Sequence, residues 1–168
     1  AFIYDDGDYI TSSGANSYNW GIKIPAKDLA TFSGTQISSV EIYDNYDGKY
    51  TFKIYNGDEV NNDNLIHTEA FNTTKSNTFV RFELSEKLDF DATKDIWITV
   101  KSSNGKDAPI PCGNFYNEPN SNLIKIGNKW ESATIYDMPY SWLLRAYTTT
   151  PENYTLTYNL YRNNEVIA

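Results

Sequence analysis

Cys112 and His67 are the only thiol and the only imidazole in the 168-residue chain. Covalent catalysis needs a nucleophile with a base within hydrogen-bond reach. The two lie 45 residues apart, with Cys112 between Pro111 and Gly113 and no local signature around either. They read as a packed thiol and an unrelated histidine. Mechanisms that need two histidines or two cysteines are excluded, as are an internal disulfide and a zinc site of His and Cys ligands. Glycoside hydrolysis asks only for two carboxylates about 5–10 Å apart. The 22 acidic residues, however, mostly flank turns or sit on polar strand faces, where solvation accounts for them. No phosphate-cradling glycine loop or dinucleotide fingerprint follows a strand. The chain reads as non-catalytic.

Two other groups of residues suit binding. Asp5, Asp6 and Asp8 crowd three carboxylates into four residues around Gly7, an arrangement that becomes favourable with a cation among them. Calcium is the metal expected there, because an all-oxygen environment matches a hard cation. Asx turns on an acidic surface are the plain alternative, and Asp44, Asp47, Asp58 and Asp63 line further loops. The second group is aromatic. Trp20, Trp97 and Trp142 fall within strand patterns and read as core. Tyr116, Trp130 and Tyr136 lie outside regular alternation, and Asn114, Asn117 and Asn120 supply amides beside them. Aromatic faces with amide donors and acceptors suit a sugar or a peptide, so Tyr116, Trp130, Tyr136, Asn114 and Asn117 are the candidate ligand-binding residues.

The elements that must hold these residues are strands. The chain has 14 Tyr, 8 Phe, 4 Trp and 19 Asn but 1 Met. Aromatic and β-branched residues fit pleated surfaces, and Asn, Asp, Gly and Ser supply turns. Strands are expected at 17–24, 37–43, 49–55, 65–71, 78–84, 96–100, 123–126, 129–130 and 140–147. In the second hairpin strand Tyr50, Phe52 and Ile54 should face inward, with Thr51, Lys53 and Tyr55 outward. Asp47-Gly48 and Asn56-Gly57 are turns. Residues 25–34 allow a helical turn, and 102–122 read as one long irregular loop. Arg145 should pair with an acid on a neighbouring strand. With no crossover helices, the fold class is all-β, an antiparallel sandwich of jelly-roll (galactose-binding-like) type. Residues 1–148 would form it. Residues 149–168 either add strands to it or, the favoured reading, are a linker and the opening of a second β domain.

The segments YDDG (4–7), NWGIKIP (19–25), KYTFKIYNG (49–57), DIWITV (95–100), IGNKW (126–130) and YSWLLRAY (140–147) together resemble a known kind of module. They are similar to the β-sandwich adhesin or haemagglutinin modules of secreted Bacteroidetes-type surface proteins and gingipain-like proteases. The tail YTLTYNLYRNNEVIA similarly resembles the start of a fibronectin type III-like module. The resemblance implies a jelly roll, a secreted or cell-surface location, a non-catalytic role in adhesion or substrate targeting, and commonly bound calcium. An accessory sugar-binding module that targets an attached protease or glycosidase is the competing role. The net charge of −8 and pI near 4.6 speak against nucleic acid as a partner. No apolar run approaches the roughly 20 residues of a membrane span, and no signal peptide is expected within these residues. The expected partners are a host or matrix protein or a neutral glycan, met by a monomeric module of a larger chain.

Overall fold

In a strand, successive side chains face opposite ways, so a period of two in hydrophobicity decides which face meets the core. The computed structural model describes residues 1–151 and the backbone of Tyr161–Arg162 and Glu165–Val166. Its strands are β1 (Thr11–Ser13), β2 (Asn19–Ile24), β3 (Gln36–Tyr43), β4 (Lys49–Asn56), β5 (Leu65–Asn72) and β6 (Phe79–Leu88). They continue with β7 (Ile96–Ser103), β8 (Ile110–Gly113), β9 (Leu123–Ile126), β10 (Lys129–Ser132), β11 (Ser141–Trp142) and β12 (Leu144–Thr149). Residues 25–34 hold two short 3-10 turns, Ala26–Asp28 and Ala30–Phe32.

The fold is an all-β sandwich of antiparallel sheets. One sheet has six strands in the order β10-β9-β2-β7-β4-β5. Two three-stranded sheets, β12-β3-β6 and β1-β8-β11, complete it. The first eight strands pair in a nested way, β1 with β8, β2 with β7, β3 with β6 and β4 with β5. The expected inward set Tyr50, Phe52 and Ile54 is fully buried, beside Trp20 and Ile22 of β2 and Ile96, Ile98 and Val100 of β7. Ile37, Val40 and Ile42 of β3, Leu84 of β6, and Leu144 and Ala146 of β12 belong to the same core. Trp20 lies edge-on to both Tyr50 and Trp142, with centroids 6.4 and 6.3 Å away.

Three local expectations are corrected. Tyr55 does not face solvent: with Trp97 and Leu123 it forms a second small core, against which Val60, Leu65 and Trp130 pack. Residues 102–122 are not one irregular loop, because β8 lies within them, buried from Ile110 to Gly113 between β1 and β11. The prolines at 109 and 111 hide this strand, yet the Pro111 carbonyl still accepts from Leu143 N at 3.0 Å. The single strand expected at 140–147 is two. β11 pairs with β8 and β12 with β3, and Leu143 bridges them, its carbonyl accepting from Tyr43 N at 3.1 Å. β12 ends at Thr149. In the tail, Tyr161–Arg162 pairs antiparallel with Glu165–Val166; the proposed fibronectin type III-like opening otherwise lies outside the described residues.

Fully buried aromatic rings make the core vulnerable to truncation. Phe52→Ala and Trp142→Ala are each expected to cost about 3–5 kcal/mol. Ile135→Ala, at a side chain 63% exposed, should stay within about 0.5 kcal/mol. Urea unfolding of the three variants checks the contrast, and equal midpoints would refute the assigned core.

Candidate functional site

The residues expected to bind ligand have different partners in the structure. Tyr116 is 60% exposed and donates its hydroxyl to Asp6 Oδ2 at 2.5 Å, where Asn114 Nδ2 also donates at 2.9 Å. Tyr136 donates instead to Glu131 at 3.0 Å. Trp130 turns to the outer face of the six-stranded sheet and packs on Trp97, centroids 6.1 Å apart. Asn117 is exposed on left-handed backbone at φ 59°. Asn120 is held through its N–H, which donates to the Glu118 side chain at 2.9 Å. The structure therefore joins Tyr116 and Asn114 to Asp6, while Tyr136 bonds Glu131 and Trp130 packs on Trp97.

Two of the three aspartates expected to hold calcium are bound by other side chains. The Asp5 side chain is fully buried and is gripped by the Arg145 guanidinium, whose Nε donates to it at 3.0 Å and whose Nη2 donates as well. Arg145 also reaches Glu41, its cross-strand partner on β3, at 3.0 Å, which is the strand-to-strand pairing expected of it. Asp6 faces Tyr116. Among the described residues no group of three or more His, Cys, Asp or Glu is placed to hold a metal ion. Asp5 and Asp6 thus each give their carboxylate to a protein partner. Cys112 is buried in β8, which pushes its thiol up to about 12. His67, buried on β5, pairs with Glu69 at 2.9 Å.

Another site lies at one end of the sandwich. Antiparallel strands reverse direction at each connection, so the β1–β2, β3–β4, β5–β6 and β7–β8 loops emerge together. Between them is a cavity of about 570 Å³, lined by Asn45, Tyr46, Asp47, Lys75, Asn104 and Lys106 with Ser12, Gly105, Asp107 and Ala108. Tyr116 and its neighbours, in the β8–β9 connection, belong to the opposite end.

Each wall of this cleft is fastened. Tyr46 is 3% exposed and tilts against Tyr50 at 5.6 Å. Its hydroxyl donates to Asn16 Oδ1, and Asn16 Nδ2 donates to the Gly105 carbonyl at 2.9 Å. Burial raises the Tyr46 hydroxyl above its ordinary pKa, which keeps it a donor. Gly105 has no room for a side chain, because a Cβ would strike the Asp47 carbonyl and the Tyr46 ring. Buried Asp44 holds the 73–78 loop. Its Oδ2 accepts from Thr74 N at 3.2 Å, Ser76 N at 3.1 Å and Ser76 Oγ at 3.0 Å. Lys75, between those two donors, gives its own N–H to the Tyr46 carbonyl at 3.2 Å. Lys75, Asn104 and Ala108 all sit in the left-handed region, at φ 53°, 62° and 66°. Side chains rarely adopt that conformation, and such outliers gather at functional sites.

No family model matches this chain, and neither a curated protein nor a solved structure matches it.

Two outcomes follow from the N-terminal contacts. The hydrogen bond from Tyr116, and next that from Asn114, holds the Asp6 carboxyl at about 2. A depressed carboxylate keeps its tether complete above the unfolded value near 4 and loses it as pH falls through about 2. Tyr116→Phe should move the Asp6 midpoint back toward 4 in a carboxyl NMR titration, and an unchanged midpoint would contradict the contact. Asp5→Ala leaves the part-buried Arg145 with Glu41 as its remaining carboxylate, at an expected cost of about 3 kcal/mol. Denaturant unfolding measures it, and a loss under about 1 kcal/mol would show the pair to be solvated.

Proposed function

We propose that this chain is a non-catalytic binding module of a larger secreted or cell-surface protein, and that its ligand is a glycan held in the loop-end cleft. The observation that carries this is the lining itself. Asn45 and Asn104 offer amides, Asp47 and Asp107 carboxylates, and Lys75 and Lys106 ammonium groups, around a cavity of about 570 Å³. That volume is within the range of small-ligand sites. A sugar hydroxyl donates to a carboxylate and accepts from an ammonium or amide, so a ring carrying several hydroxyls answers such mixed walls. Loops fastened on a rigid sandwich are where binding usually resides.

Support for the non-catalytic part comes from chemistry. The Cys112 thiol is buried and hard to ionise, and His67 is buried against Glu69 on another strand. The sandwich is read as a jelly roll, supported by the four nested strand pairs that a long hairpin rolled on itself would give. Placement on a secreted chain is supported by the sequence resemblance to adhesin modules. Adhesion to a host or matrix glycan and targeting of an attached protease or glycosidase are two uses of the same binding. Calcium has no part in this reading.

Glycan-array screening followed by calorimetry tests it. At least one oligosaccharide class should bind, and combining Asp47→Ala with Asn104→Gly should weaken it at least tenfold, about 1.4 kcal/mol, with the circular dichroism unchanged. Undiminished binding by that variant would move the site elsewhere. Turnover of any glycoside or peptide by the purified chain would refute the non-catalytic role.

A further inference from the structure

Lys75 and Lys106 are two of the 14 basic residues of a chain that has 22 acidic ones. Both line the cleft together with Asp47 and Asp107. Both are exposed, and like most lysines of the chain neither forms an ion pair with a described carboxylate. Asp107 also accepts from Asn16 N at 3.4 Å. The two ammonium groups are thus left to whatever enters. A wholly neutral ligand would strip water from them without returning a counter-charge, and an unpaired charge is costly to desolvate. The backbone gives an independent sign. Lys75 is held at φ 53°, where Asn or Gly would be more at ease. The Asp44 carboxylate nevertheless secures the residues on both sides of it.

We infer that the cleft takes a sugar bearing a single carboxylate, of the uronic or sialic acid type, with Lys75 and Lys106 receiving the carboxylate and the Asn and Asp side chains reading the hydroxyls. This rests on the glycan reading of the cleft. The lining sets the limit of one charge. Two lysines against two aspartates leave it neutral overall, and the chain's net −8 repels a polyanion. The carboxylate accepts hydrogen bonds from the two ammonium groups, contacts that are charge-assisted and stronger than those a hydroxyl would make. Lys75 is therefore a specificity-determining residue whose backbone conformation is maintained for the ligand.

The experiment pairs oligosaccharides containing uronic or sialic acid with the same oligosaccharides after carboxyl reduction, and measures both against the intact chain by calorimetry. The acid form should bind at least tenfold tighter, and the difference should shrink as salt rises from 50 to about 300 mM. Lys75→Asn, whose side chain suits left-handed backbone, should remove most of that preference while its melting temperature stays equal or rises. Lys75→Arg should retain the preference. If the reduced sugars bind as well as the acids, the carboxylate inference is overturned and the glycan reading stands. If neither form binds, both are overturned. A Lys75→Asn variant that binds normally but melts lower would make Lys75 a structural residue and refute its role here.

Discussion

Pairing between strands distant in the chain is the constraint on which the rest of this molecule depends. β2 must find β7, β3 must find β6, and β1 must wait for β8. Each pair is antiparallel, so each connection reverses direction and alternate connections emerge at the same end. Four loops that are remote in sequence therefore meet around one cavity, and the other connections are sent to the opposite end. The cleft is a consequence of topology before it is a consequence of its own residues. Hydrophobic burial enforces the register, since a one-residue slip in β4 or β7 would send Phe52 or Ile98 to solvent and bring Lys53 or Thr99 inward.

That dependence explains how much the sequence discloses. Period-two alternation is local, so Tyr50, Phe52 and Ile54 on β4, and Ile96, Ile98 and Val100 on β7, are legible without coordinates. The Arg145–Glu41 pairing is legible for a similar reason, but Asp47-Gly48 does not close a hairpin, because β3 and β4 lie in different sheets. β8 is not, because Pro109 and Pro111 carry a turn signal and the strand is defined by neighbours on both sides. Tyr55 was readable as outward-facing but not as buried, because the Trp97 and Trp130 that cover it arrive from other strands. The cleft was the least visible part. Lys75 and Asn104 sit in polar stretches like any other, and nothing local says that they meet or that both adopt left-handed backbone.

Two buried acids do comparable work in different places. Asp5 takes the Arg145 guanidinium and so fastens the N-terminal segment across β3 and β12. Asp44 takes the N–H groups of Thr74 and Ser76 and so fastens a loop to the β3–β4 connection. Neither is a strong source of net stability, because removing a carboxylate from water offsets much of what its partners return. What they supply is definition: a segment that would otherwise sample many arrangements is held in one. On the same sheet, Arg81 lies over the Tyr147 ring at 3.4 Å and Arg145 over Phe79 at 3.8 Å. The outer face of β12-β3-β6 is thereby closed by cations on aromatic rings.

The burial of Cys112 has a consequence for the environments in which this fold can exist. Its sulfur is wholly enclosed in β8 and directed at the Ile110 carbonyl at 3.4 Å, with the thiol pushed up to about 12. Thiolate is the form that oxidants and disulfides attack, and here it is both scarce and out of reach. Once folded, the sandwich is indifferent to redox potential. It needs no oxidising compartment to mature and gains no cross-link on entering one, and a covalent dimer through its single thiol would require the core to open first.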